Sequence, residues 1–127
     1  MAYRCPSAIS LGRVDISDHR LVFRGCADVV YSPGNTVQCV LWDITKECEI
    51  ALDMLEGYPE FYSKKFLPIE FMGHKTEAMI YYMVTQYYPS HPSISYQNML
   101  EEGYTEHGLD LNQIYQAEGF NQYEYSY

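Results

Sequence analysis

Apolar positions along this chain keep changing their period, and each change marks an element. RLVFR at 20–24 alternates apolar and polar side chains and reads as a strand, as does ADVVY at 27–31. SPGN at 32–35 has the Pro-Gly chemistry of a turn. In TVQCVLWDI, Val37, Cys39 and Leu41 share one face while Val40, Trp42 and Ile44 share the other. Both faces are apolar, which predicts a central strand covered on both sides, hairpinned to ADVVY across the SPGN turn. Upstream, residues 1–10 read as the tail of a helix running into a turn at Pro6.

At Thr45 the period switches to helical. Thr45 suits an N-cap, Glu47 and Glu49 favour the positive end of a helix dipole, and Gly57 stops the run. Cys48, Ile50, Ala51, Leu52 and Leu55 recur at helical spacing between those limits. KKFLPIEFM (64–72) and EAMIYYMVT (77–85) read as strands on either side of a polar turn near Gly73, and QYYPSHPS as a loop with two prolines. Residues 94–102 and 109–118 read as short helices joined by GYTEHGL. Strands, helix, strands, helices is an α+β order: a mixed, curved antiparallel sheet with helices laid on it. The domain is expected to span 1–118, with the polar, tyrosine-rich FNQYEYSY (120–127) falling in a tail over 119–127.

A chain of 127 residues with 47% hydrophobic positions suffices for a single core. No stretch approaches the roughly 20 apolar residues of a membrane span, and no signal segment opens the chain. The 4 cysteines fall in no CxxC pair or zinc spacing. They are expected as free thiols of an intracellular, cytoplasmic protein. His19, His74, His91 and His107 stand apart without metal-ligand pairing and read as surface side chains. The net charge of −9 is unevenly spread: after Lys75 come Glu77, Glu101, Glu102, Glu106, Asp110, Glu118 and Glu124 with no Lys or Arg between them. Such a half repels phosphate backbones and argues against direct nucleic-acid binding. It reads as a solvated acidic surface, or else as a face that docks on a basic partner protein.

Glu56 is the candidate for chemistry. It lies one residue before the helix stop and stacks over Leu52 on the apolar stripe. A carboxylate at the rim of an apolar pocket, beside a negative helix end, is expected to have a raised pKa, as a general acid/base near neutrality requires. The segments ADVVYSPGNTVQCVLWDI, LDMLEGYPEFY, YYMVTQYYPSHPSISY and GYTEHGLDLNQIYQA resemble the gamma-glutamylcyclotransferases, in register from about Arg4 to Ala117. The resemblance implies a small, twisted, partly closed β-barrel with flanking helices. It assigns Glu56 as catalytic acid/base and Tyr62 and Tyr82 as tyrosines of the substrate pocket. No metal or organic cofactor is implied. The implied reaction converts a gamma-glutamyl compound to 5-oxoproline and a free amino acid or amine.

The family opens with a strand and a Tyr-Gly-Ser-Asn-type loop whose amides hold the substrate, and this sequence starts at MAYRCPSAI, beyond that point. Either Met1 lies inside a longer protein or the first strand is missing, which would expose a sheet edge to self-pairing as a homodimer. Two readings stand at this point: a cyclotransferase, impaired by the absent loop, or a degenerate member acting as an acidic interaction protein or inhibitor on a basic, nucleic-acid-binding partner.

Overall fold

Reversal of the chain at Gly25 and at Gly73 sets the β structure. The computed structural model describes residues 5–84 and 90–125, with side chains through Glu118. Its elements are β1 (Ile9–Arg24), β2 (Cys26–Asp43), α1 (Lys46–Glu56), β3 (Tyr62–Phe71), β4 (His74–Met83), α2 (Ile94–His107) and α3 (Asn112–Tyr125). β1 pairs with β2, and β3 with β4, as two two-stranded sheets. The α+β class is as expected, but among the described residues these sheets do not close into one barrel. The chain divides into two compact units, Met1–Val14 with Val40–Thr85, and Asp15–Cys39 with Gln86–Tyr127.

In the first unit α1 forms where the sequence predicts it. Thr45 has an extended backbone and accepts from the Cys48 N–H at 3.2 Å. Gly57 ends the helix at φ +66, with the Tyr58 N–H returning to the Asp53 carbonyl at 2.8 Å. Removing the cap, as in Thr45→Ala, is expected to cost about 1 kcal/mol of stability in a denaturant titration. β3 and β4 run antiparallel in the register Tyr62↔Met83 to Phe71↔His74. Met72 and Gly73 connect them with φ of +50 and +78, both positive as a type I′ turn demands. Methionine is ill suited to that conformation and is 82% exposed, so nothing else holds it there. Met72→Asn is therefore expected to stabilise the protein by about 1 kcal/mol, read as about 3–6 °C in a calorimetric melt.

The second unit is built around Phe23, Val22, Val37 and Ile114, all nearly inaccessible to solvent. Gln113 of α3 acts as a short extra strand. Its Oε1 accepts from the Gln38 N–H at 2.7 Å, and its Nε2 donates to the Gln38 carbonyl at 3.0 Å. The Gln38 side chain in turn accepts from the Asp110 N–H at 2.8 Å.

Several expectations are corrected. SPGN is not a turn: β2 continues through it, with Gly34 at φ +84 and its N–H held by Asp18 Oδ1 at 3.0 Å. Asp18 itself sits at φ +59, so both strands absorb a local irregularity where Pro-Gly suggested a reversal. The strand partner of residues 37–43 is accordingly β1 and not ADVVY, and among the described residues β2 belongs to a two-stranded sheet instead of occupying a central place. Of the opening segment, residues 1–4 lie outside the described residues; Pro6 does sit in a turn, and strand begins at Ile9. α2 runs through Gly103 to His107 and ends at Gly108, φ +70, so GYTE is helix where a linker was expected. α3 continues to Tyr125, into the segment expected as a tail. Half of the QYYPSHPS loop, residues 86–89, lies outside the described residues. Cys5 and Cys48 are joined as a disulfide, contrary to the expectation of free thiols, while Cys26 and Cys39 are free. His19 is buried, not on the surface, with Nδ1 2.8 Å from the Ser17 carbonyl and its ring edge-on to Tyr31. No helix among the described residues is long and apolar enough to cross a membrane.

Candidate active site

Cys48 and Leu52, 5% and 7% exposed, lie one turn apart on α1, and the next position on that line is Glu56. Leu55, one residue away and rotated by about 100°, points outward at 54% exposure. The stripe that carries Glu56 inward is thus Cys48–Leu52–Glu56; Leu55, which the sequence pattern also assigned to it, faces solvent. Gly57 ends the helix immediately after, so Glu56 stands at the last turn with its side chain half-buried.

Glu56 and Leu52 both line a cavity of about 370 Å³ built entirely within the first unit. Val40, Trp42 and Ile44 of the β2 end and its exit, with Met79 of β4, are its large apolar lining residues; Glu56, Glu77 and Tyr81 are the lining residues whose side chains carry oxygen. Tyr81 and Tyr82 are neighbours on a strand, so their side chains leave opposite faces of the β3–β4 hairpin. Tyr81 is the one that reaches the cavity. Tyr82 instead has Lys65 Nζ 5.4 Å from its ring centroid, and Tyr62 is buried with its ring edge-on to Phe61. The structure therefore brings Glu56 to the cavity without Tyr62 or Tyr82.

Sequence reasoning missed a polar cluster beside this cavity. Lys64 of β3 donates to Asp53 Oδ2 at 2.9 Å and to Glu49 Oε2, both on α1, and its ammonium lies 4.4 Å from the Tyr58 ring centroid. Tyr81 donates to Asp53 Oδ1 at 2.6 Å. Burial alone would raise the Asp53 pKa, but the hydrogen bonds from Lys64 and Tyr81 and the Lys64 charge hold it below the usual carboxylate range. The Tyr81 phenol is pushed far above its ordinary value, first by burial, then by its bond to Asp53 and the charges of Asp53, Glu49 and Glu56. One signal for this cluster was present in the sequence: Glu49, Asp53 and Glu56 recur at i, i+4, i+7, an acidic stripe on one helix face. In the second unit, burial and the Asp15 charge raise the Cys39 thiol to about 11, so it is a neutral thiol and no nucleophile. Among the described residues no group of three or more His, Cys, Asp or Glu could hold a metal ion.

Comparison with known proteins decides the family. The sequence profile described as "Gamma-glutamyl cyclotransferase, AIG2-like" matches residues 1–102. This chain belongs to that cyclotransferase family. No curated protein matches the chain closely enough to count as a relative. Among solved structures, the uncharacterized human protein loc79017 is similar at 25% identity, covering 92% of this chain and 77% of its own, with a TM-score of 0.78. A structure named gamma-glutamyl cyclotransferase shares 24% identity over the same coverage, again at a TM-score of 0.78. YkqA from Bacillus subtilis matches at 20% identity, over 92% of this chain and 45% of its own, with a TM-score of 0.72. The cyclotransferase fold is thus shared across these proteins, and the α+β arrangement seen here is its form in this chain.

Proposed function

We propose that the protein cyclises a gamma-glutamyl compound to 5-oxoproline, with Glu56 as the acid/base. The observation that carries this reading is the Cys48–Leu52–Glu56 line, which delivers one carboxylate from a buried helical stripe into an apolar cavity of about 370 Å³ in a member of the cyclotransferase family. The substrate folds so that its α-amine reaches its own γ-carbonyl. Glu56 takes a proton from the α-ammonium, and the freed nitrogen lone pair forms the C–N bond of the five-membered ring. The γ-carbonyl becomes a tetrahedral oxyanion. Its collapse breaks the bond to the leaving nitrogen, which takes the proton back from Glu56. The ring nitrogen sheds a second proton on becoming the lactam, and the departing amine takes that one up as well, leaving as an ammonium. Charge and atoms balance without a redox partner.

Oxyanion donors are worth about 100- to 1,000-fold each in turnover. The resemblance assigns such donors to the backbone amides of a Tyr-Gly-Ser-Asn-type loop, a segment that does not occur in these 127 residues. The test is release of 5-oxoproline from gamma-glutamyl anilides and dipeptides by the purified chain, beside Glu56→Gln. Equal release by the two proteins overturns the assignment.

A further inference from the structure

Tyr81 has one hydroxyl hydrogen, and its destination is fixed. The phenol oxygen is 2.6 Å from Asp53 Oδ1. Asp53 is ionised at neutral pH because Lys64 and Tyr81 stabilise its charged form. An ionised carboxylate only accepts, so Tyr81 is the donor, and its hydrogen points toward α1. Lys64 closes the arrangement from the other side, 2.8 Å from the same Asp53 oxygen, with a side chain only 13% exposed. The phenol stays protonated across the physiological range.

The same tyrosine lines the cavity with Glu56 and Glu77. With that hydrogen committed to Asp53, what its oxygen can offer a ligand is lone pairs alone. A tyrosine next to a catalytic carboxylate is an obvious candidate to donate to an oxyanion, yet here the single hydrogen is already committed elsewhere. Glu56 and Glu77, when ionised, also only accept. Among the described lining residues there is no Lys, Arg or His, and the side-chain N–H present is the neutral Trp42 indole. The oxygen-bearing side chains of the cavity therefore form an acceptor set suited to a cationic N–H donor, and the substrate carries one such group next to the carbon skeleton that must fold: its α-ammonium.

We propose that Tyr81, locked by Asp53 with its hydrogen turned away from the cavity, accepts a hydrogen bond from the substrate α-ammonium beside Glu56, and that Asp53 is the positioning residue that enforces this polarity. The inference rests on the cyclotransferase reading of the site. It gives the cavity a recognition rule: compounds that keep a free, cationic α-amine bind, and those acylated or lacking it there are refused. It also places the nitrogen that must lose a proton next to the carboxylate that takes it.

The test is binding, so that it does not depend on turnover. S-benzyl-homocysteine carries the α-amine but a thioether in place of the γ-amide, and cannot cyclise by this route. 4-(Benzylthio)butanoate is the same compound without the amine. Titration calorimetry of both probes gives a discrimination ratio, expected to be tenfold or more in the wild type and to fall about tenfold in Tyr81→Phe through weaker binding of the amine probe alone. Taking the ratio within one variant removes any general loss of folded protein, and Tyr81→Met serves as a second oxygen-free replacement. An unchanged ratio in both variants, equal weakening of both probes, or no binding of either probe to the wild type overturns the proposal. If 5-oxoproline release is lost in Glu56→Gln while the ratio ignores Tyr81, the ammonium site falls and the acid/base reading stands. If the ratio responds to Tyr81 but no 5-oxoproline forms, the ammonium site stands and the cyclotransferase reading falls.

Discussion

Glutamine in place of Glu56 is expected to lower the rate of 5-oxoproline release by about 100- to 10,000-fold, the usual worth of a positioned general acid/base. The substitution is nearly isosteric, so the side chain still covers Leu52 at the end of α1 and the helix still ends at Gly57. The melting temperature should therefore change little, which separates loss of chemistry from loss of fold. An amide does not take the α-ammonium proton at neutral pH, and it returns none to the leaving amine, so both halves of the reaction suffer. The loss should appear in kcat for every gamma-glutamyl substrate that the wild type accepts, whatever its leaving group, because the proton moves within the part all of them share. A loss confined to KM, with kcat intact, would reduce Glu56 to a binding group and leave the acid/base unassigned.

The site was legible in the sequence to the extent that its parts are local. Thr45, Glu47, Glu49 and Gly57 mark the two ends of α1 by capping chemistry that acts within a single turn, and the helix found is the one predicted. Glu56 could be placed over Leu52 for the same reason, since i and i+4 share a face on any α-helix. Gly73 was readable because a two-residue reversal needs positive φ, which glycine supplies. What escaped depended on partners distant in sequence. Pro33-Gly34 carries turn chemistry, yet Asp18 and its own positive φ accommodate it within a paired strand, and nothing near residue 34 announces that. Choosing Tyr81 over Tyr82 as the cavity-facing ring needed the face of β4 to be known, and a one-residue error in phase exchanges them. The bond from Tyr81 to Asp53 spans 28 positions and that from Lys64 to Asp53 spans 11, so neither appears in any local window. Sequence periodicity also gave Leu55 to the buried stripe, because six apolar residues around α1 leave the stripe's width undetermined until β3 and β4 cover one side.

Lys64 tests whether that cluster matters to the fold. Lys64→Met keeps the length of the side chain and removes its charge, leaving Glu49 and Asp53 facing each other at i, i+4 on α1 with no cation between them. A hydrogen bond to a charged group contributes about 1.5–3 kcal/mol when well buried. Glu49 and Asp53 are 40% and 23% exposed, so water replaces part of what is lost and a net cost of about 2 kcal/mol is expected. That corresponds to a melting temperature lower by about 5–10 °C. The pH dependence identifies the cause. The folded-state pKa of Asp53 is depressed, so its contribution is present above the unfolded value of about 3.9 and is lost as pH falls through the folded value. For Lys64, burial lowers the pKa but the bonds to Asp53 and Glu49 raise it further. Its contribution is therefore complete below an unfolded value of about 10.4 and is lost as pH rises through the folded one. Between roughly pH 4 and 10 the wild-type pair gives a flat profile. In Lys64→Met the two carboxylates repel, protonation relieves them, and stability should climb as pH falls from 7 toward 4. The gap between the two melting curves is then widest near neutrality and closes in acid. A gap of equal size at pH 4 and pH 7 would trace the loss to the cation over the Tyr58 ring, 4.4 Å away, and would remove the charge cluster as the element that holds α1 against β3 and β4.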